Sequence, residues 1–222
     1  MTERKPLPLV VLISGSGSNL QAIIDAAANG LPVDIRAVIS NRPGVYGLDR
    51  AEQAGVPTRV LDHKSFTERE QYDNALKSLI DSFQPELVIL AGFMRILTPE
   101  FVRHYAGRLF NIHPSLLPKF RGLHTHQRAL DAGENLHGAS VHFVTEKLDG
   151  GPLIVQALVP VLPDDDVEQL ATRVLKLEHQ IYPLAIGWFA EGRLALNERG
   201  GVTLDGRERE RPVIFQPEQA IG

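Results

Sequence analysis

The 222-residue chain, 43% hydrophobic and 23% charged, has the composition of an ordinary globular protein and can bury a sizeable core in one large domain or two small lobes. A formal charge of -4 and a pI near 6.1 leave no electrostatic footprint for nucleic acid, and no apolar run approaches the ~18 residues of a membrane span. Without cysteine there is no disulfide, no thiolate nucleophile and no Cys-based zinc site, and without a signal-peptide pattern at the N-terminus a cytoplasmic location is expected.

Leu7 to Ser14 is a β-branched and leucine run that reads as a buried strand ending at Gly15. Asn19 to Ala28 has helical composition, Val33 to Ser40 reads as a second strand, and Asn41-Arg42-Pro43-Gly44 closes it with turn residues. Tyr46 to Ala54 reads as a helix, Thr58 to Leu61 as a short strand and Thr67 to Phe83 as a helix, with Thr67 and Glu70 spaced as a capping box. Glu86 to Ala91 is a further buried strand, Pro99 to Tyr105 a helix and Arg108 to Ile112 a strand. This alternation predicts an α/β fold: a Rossmann-like, mostly parallel twisted sheet with helices on both faces.

After Pro118 the pattern changes. Thr125 to Asp131 reads as a short helix, and Gly138 to Val144 and Leu153 to Val161 as longer strands that extend the sheet. A long C-terminal helix from about Asp165 to Glu191 carries Val167, Leu170, Val174, Leu177, Ile181, Leu184 and Trp188 at helical spacing, which predicts a single buried stripe with a kink at Pro183. Beyond Gly192 a small hairpin is expected around Asp205-Gly206, followed by a loosely ordered polar tail over 207–222.

Gly15-Ser16-Gly17-Ser18-Asn19 lies at the first strand-to-helix junction, where backbone N–H groups favour an anion. A dinucleotide fingerprint would need a third small residue where Leu20 stands and an acid where Ser40-Asn41 end the second strand. A single phosphate monoester therefore suits the loop better than a dinucleotide, and a tight turn with nothing bound is the alternative. Asn111-Ile112-His113 places an amide and an imidazole two residues apart, on one face of an extended chain, just before the stiff Pro114 to Pro118 segment. An amide donor beside a titratable donor suits a carbonyl oxygen that must carry charge during attack, whereas a lone Asn-x-His is more often a strand end.

Taken together, Gly15-Ser16-Gly17-Ser18-Asn19, Ala91-Gly92-Phe93-Met94-Arg95-Ile96-Leu97, the Asn111 to Pro118 segment and Leu148-Asp149-Gly150-Gly151-Pro152 resemble the folate-dependent formyltransferases in order and spacing, from about Leu9 to Leu196. The resemblance implies one formyltransferase domain over 1–222, with a nucleotide-phosphate lobe over about 7–113 and a lobe over about 114–196 that completes the folate cleft. It implies transfer of the formyl group of 10-formyltetrahydrofolate, as co-substrate, to the amine of glycinamide ribonucleotide in purine biosynthesis. Asn111, His113 and Asp149 would be catalytic; Gly17, Ser18, Asn19 and Glu178 would contact the ribonucleotide. Arg69, Met94, Arg95, Ile96, Leu97 and Thr145, with Asn111 and Asp149, would form the folate cleft. No metal, nucleic-acid or membrane partner is implied, and the protein would act as a monomer or homodimer.

The residues suit direct attack of the amine on the formyl carbon: Asn111 and His113 can donate to the oxyanion, and Asp149 can orient the imidazole and relay protons. Each has a plainer alternative. Asp149 would ordinarily be a solvated turn residue, Glu178 a surface carboxylate and Arg95 a side chain with its stem packed and its head in water. His124-Thr125-His126 lacks the acids or cysteines of a metal site, and a loop entering a helix at Thr125 explains it better; His137 and His142 read as partly buried strand residues. Phe120-Arg121-Gly122 departs from the Tyr-Pro-Gly familiar in the ribonucleotide branch and is similar to the methionyl-tRNA branch. That branch would carry a C-terminal RNA-binding domain and a basic surface, and the formyltetrahydrofolate hydrolases an N-terminal regulatory domain; neither is expected here.

Overall fold

The structure, a computed structural model, describes residues 5–216. In chain order the elements are β1 (Leu7–Ile13), α1 (Ser18–Ala28), β2 (Val33–Ser40), α2 (Tyr46–Gln53), β3 (Thr58–Val60), a 3₁₀ turn at His63–Ser65, α3 (Arg69–Ser82), β4 (Leu87–Leu90), α4 (Pro99–His104) and β5 (Leu109–His113). There follow α5 (Thr125–Asp131), β6 (Leu136–Phe143), β7 (Leu153–Pro160), α6 (Val167–Ala190), β8 (Leu194–Leu196), β9 (Val202–Leu204), β10 (Arg207–Arg209) and β11 (Val213–Phe215).

One sheet has the order β11-β7-β6-β5-β4-β1-β2-β3, and a second joins β10, β9 and β8. In the large sheet only β6 runs against its neighbours; the other pairings are parallel. Alternation along β1 divides the core. Leu9, Val11 and Ile13 face a cluster with Leu20, Ile23, Val174, Ile181 and Tyr182, while Val10 and Leu12 face Tyr72, Leu76, Ile80 and Phe101. Helices therefore cover both faces, which is why β1 and β4 read as near-continuous apolar runs. The chain leaves β1 toward β2 on one side and later returns to β4 on the other. The strand order thus reverses between β1 and β4, where open α/β sheets form their ligand crevice.

Several expectations are corrected. The helix expected from Thr67 begins at Arg69, so Thr67 falls outside the N-cap position held by Glu68 and forms no capping box. The reciprocal box belongs to α6: Asp166 Oδ1 accepts from Gln169 N at 2.8 Å, and Gln169 Oε1 accepts from Asp166 N at 3.0 Å. Nor is α6 a single stripe. It runs through Pro183 without a break, and its last turns bury Tyr182, Ala185 and Ile186 while Leu184 and Trp188 are only half-buried. Tyr182 explains the wider face, since its hydroxyl donates to Leu90 O at 2.8 Å behind the centre of the sheet.

The loose tail expected from Arg207 is instead ordered as far as the described residues reach. Asp205 and Gly206, both at positive φ, join β9 to β10, and β11 adds a parallel strand to β7 through Val213↔Val155 and Phe215↔Ala157. Val213 and Phe215 pack on the core with Ile214 turned out, an alternation visible in the three-residue apolar run. The remainder of the expected tail, 217–222, lies outside the described residues.

Candidate active site

The glycine loop follows β1 and delivers the chain into α1. Gly17 has φ +70, and a Cβ there would lie 2.6 Å from Gly47 Cα, so the loop rests directly on the backbone of α2. No side chain caps α1, which leaves its first amides available to an anion. Arg50 braces the loop, donating through Nε to Ser16 O at 2.9 Å and through a terminal nitrogen to Gln21 Oε1 at 3.1 Å. A cavity of about 300 Å³ opens beside it, lined by Ser18, Gln21, Arg50 and His179 among others.

Asn19 turns inward and donates through Nδ2 to Glu178 Oε2 of α6 at 2.7 Å. Both side chains are buried, and Asn19 Oδ1 has no protein partner. Burial pushes the Glu178 carboxyl up, against the opposing pull of the Asn19 hydrogen bond. Helix α6 thus buries this carboxylate where the plain reading of its stripe expected a surface residue. Two residues far apart in sequence meet at the mouth of the glycine loop.

Asn111 and His113 leave the same face of β5, with Ile112 pointing into the core. His113 Nε2 lies 2.9 Å from Phe120 O and its Nδ1 3.5 Å from Asp149 Oδ2, so both ring nitrogens face oxygen acceptors. The side chains of His113 and Asp149 are each 8% exposed. Asp149 sits at φ 45, and its Oδ2 also accepts from Gly122 N at 2.9 Å. A Cβ on Gly151 would collide with the Phe143 carbonyl, which accounts for a glycine at the point where the loop turns back into β7. The loops over 118–124 and 145–151 therefore hold the two partners of one imidazole. Three residues in a row of alternate positions, Phe120, Gly122 and His124, take positive φ to make that possible.

The antiparallel pairing of β5 with β6 adds a residue that sequence reasoning placed only as a strand residue. Asn111 stands opposite His142, and their Nδ2 and Nε2 atoms are 3.2 Å apart. His142 Nδ1 lies 2.8 Å from Phe143 O, an arrangement that assigns the proton to Nδ1 and leaves Nε2 to accept from the Asn111 amide. Burial holds this ring's pKa below the usual histidine range, so the neutral form suits the site. Asp149 Oδ1 is 3.9 Å from the same Nε2. Behind this layer His126 Nδ1 meets His137 Nε2 at 3.1 Å, and burial foremost pushes His137 down to about 4. Among the described residues no group of three or more His, Cys, Asp or Glu side chains is arranged to hold a metal ion.

On the other side of the crevice the loop after β4 presents Met94 and Ile96, 60% and 61% exposed, and buries Leu97. Arg69 donates to Leu97 O at 2.6 Å, and Arg95 lies over the Tyr72 ring at 4.5 Å. Thr145 sits at the base of the 145–151 loop, its methyl beside Gly151. The structure brings Asn111, His113 and Asp149 into one group and Asn19 and Glu178 into another. Arg69 and Arg95 flank an exposed apolar loop. Arg50 and His142 had no one-dimensional signal, because a helix-to-loop brace and a cross-strand register mark them.

Comparison with known proteins identifies the family. A family model described as formyl transferase matches residues 7–186. The phosphoribosylglycinamide formyltransferase of Escherichia coli is 57% identical over 200 residues, 90% of this chain and 94% of that protein. That of Haemophilus influenzae is 50% identical over the same shares. The solved structure of the Coxiella burnetii phosphoribosylglycinamide formyltransferase is 54% identical, superimposes with a TM-score of 0.92, and covers 95% of this chain and 100% of its own. Matched by the family model over residues 7–186 and by these relatives over nine-tenths or more of its length, the chain belongs to the formyl transferase family.

Proposed function

We propose that this protein transfers the formyl group of 10-formyltetrahydrofolate to the amine of glycinamide ribonucleotide, by direct attack and without a covalent enzyme intermediate. The observation that carries the reading is the meeting of Asn111, His113 and Asp149 at the end of β5, in a chain 57% identical to a phosphoribosylglycinamide formyltransferase. The ribonucleotide phosphate occupies the amides of Gly17, Ser18 and Asn19, with Glu178 turned to the rest of the acceptor. The folate lies against Met94, Ile96 and Leu97, with Arg69 and Arg95 at the flank and Thr145 at the base of the closing loop. In this arrangement the lobe over about 7–113 holds the nucleotide and the lobe over about 114–196 completes the folate cleft.

The amine nitrogen bonds to the formyl carbon, and the carbonyl π electrons move to oxygen. Asn111 Nδ2 donates to that oxyanion through its second hydrogen, and His113 donates through Nε2–H as the substrate takes the place of Phe120 O. Removing one such preorganised donor typically costs ~2.7–4 kcal/mol of barrier. The proton lost by the amine is passed, through His113 and Asp149 or a water they hold, to the departing folate nitrogen as the carbon–nitrogen bond breaks. His142 supports the first donor by accepting from Asn111 and fixing its amide orientation.

The test is a spectrophotometric deformylation assay with glycinamide ribonucleotide, with initiator methionyl-tRNA and with no acceptor. Turnover dependent on the ribonucleotide is expected. Turnover without acceptor would assign a hydrolase, and turnover with tRNA alone the other transferase.

A further inference from the structure

The strand-order reversal between β1 and β4 sets two loops side by side: the glycine loop after Ile13 and the exposed loop from Gly92 to Leu97. One buried hydroxyl joins them. Ser14, 3% exposed, accepts from the Met94 backbone N–H at 2.8 Å and donates to Asn41 Oδ1 at 2.6 Å. Asn41, 1% exposed, directly follows β2, the place where a dinucleotide-binding sheet would carry its ribose acid. Its backbone N–H meets Ile13 O at 3.4 Å, and its carbonyl lies 2.8 Å from His63 Nδ1 in the 3₁₀ turn. The residue after β2, where a dinucleotide site would carry an acid, is thus the inner anchor of a network joining three strand ends.

We propose that Ser14 is a positioning residue for the formyl-donor loop, fixing Met94 and its exposed neighbours to the ends of the strands that carry the nucleotide loop. A hydroxyl accepts from the Met94 amide and donates to the Asn41 side-chain carbonyl at one atom, so alanine takes the partner from both groups at once. Beyond Met94 the loop is held by Arg95 over the Tyr72 ring, by Leu97 O, which accepts from Arg69, and by Thr98 N, which donates to Asp73 Oδ2 at 2.6 Å. The Met94 and Ile96 side chains themselves are more than half exposed. Ser14 thus holds the start of the loop through the Met94 amide. The inference rests on the assignment of this loop to the formyl donor.

The experiment compares Ser14→Ala and Ser14→Cys with the native chain by steady-state kinetics and by amide hydrogen exchange at Met94. A neutral bond lost with its buried partners left unpaired moves a binding constant about tenfold. Ser14→Ala is expected to raise the KM for the formyl donor by about that factor. Ser14→Cys, slightly larger and with a weaker donor and acceptor, should fall between the two. The kcat at saturating donor and the Kd for the ribonucleotide should stay within about twofold, and the Met94 amide should exchange about tenfold faster. An unchanged donor KM, a fall in kcat alone, or unchanged Met94 exchange would overturn the proposal. If the alanine variant does not fold, the cysteine variant carries the same readings. If the native chain shows no ribonucleotide-dependent turnover, the functional reading fails, while Met94 exchange and direct titration of the donor still decide what Ser14 does.

Discussion

Asn111→Ala separates the chemistry of this site from its architecture. On the proposed mechanism the side chain gives one hydrogen bond to the developing oxyanion; in the structure it gives another, at 3.2 Å, to His142 Nε2. Loss of the first removes a donor used chiefly in the transition state, so kcat should fall by roughly 10²–10³ with little change in either KM. Loss of the second leaves an imidazole acceptor unpaired in a side chain 2% exposed, which costs about 1–3 kcal/mol of stability. Because the two effects belong to different steps, they should respond differently to a second change. In a His142→Phe background the stability cost of Asn111→Ala should shrink, since no acceptor remains to be orphaned, while the loss in kcat persists. Turnover with saturating substrates and urea unfolding of the four proteins complete the cycle. A kcat reduced less than tenfold in Asn111→Ala would refute the oxyanion role. A stability cost unaltered by His142→Phe would refute the pairing.

Acidification should destabilise the fold through its buried histidines. His137, pushed down to about 4 by burial, contributes stability that is fully present above the ordinary histidine pKa of ~6.5 and is lost as pH falls toward 4, an effect of up to roughly 3 kcal/mol that His126 and His142 reinforce in sign. Chemical denaturation from pH 7.5 to 4.5 checks it, and a flat profile in that window would contradict it. Glu178 has the opposite sign: its raised pKa is a cost at neutral pH that is relieved as pH falls through the folded value, so Glu178→Gln should raise Tm at pH 7.5 while raising the KM for the ribonucleotide. Gly17→Ala must place a Cβ 2.6 Å from Gly47 Cα at φ +70; a stability loss of about 1–3 kcal/mol and a ribonucleotide KM raised about tenfold or more are expected from denaturation and kinetics. Tyr182→Phe removes the hydroxyl that donates to Leu90 O at 2.8 Å, and denaturation should show a loss of about 1–2 kcal/mol with kcat nearly unchanged.

Much of this protein was legible before any coordinates. Elements whose faces are set by local alternation, such as β1, α1, β2 and α5, appear within a residue or two of where propensity and turn chemistry place them. Asn111 and His113 could be paired because a period of two needs only a strand. The ends of α3 and the last turns of α6 were less legible. There the competing contacts are tertiary: Glu68 takes the cap position ahead of Thr67's reach, and Tyr182 finds carbonyls of the sheet. The β11 strand was missed because three apolar residues among charged ones make a weak local signal, and their partner, Val155 to Ala157, lies far back in the chain.

The sequence by itself determined the alternating α/β architecture, the glycine turn and the donor pair on β5, because each depends on residues within a few positions of one another. Only the tertiary structure decided which distant groups complete them. The register of β5 on β6 sets His142 against Asn111, and two loops at positive φ carry Asp149 and Phe120 O to opposite nitrogens of His113. The crossing of α1 and α6 buries Glu178 on Asn19, and the reversal of strand order lets Ser14 hold Met94. Those contacts join residues tens of positions apart. Their geometry is set by how packed sheets and helices meet, which no local pattern encodes.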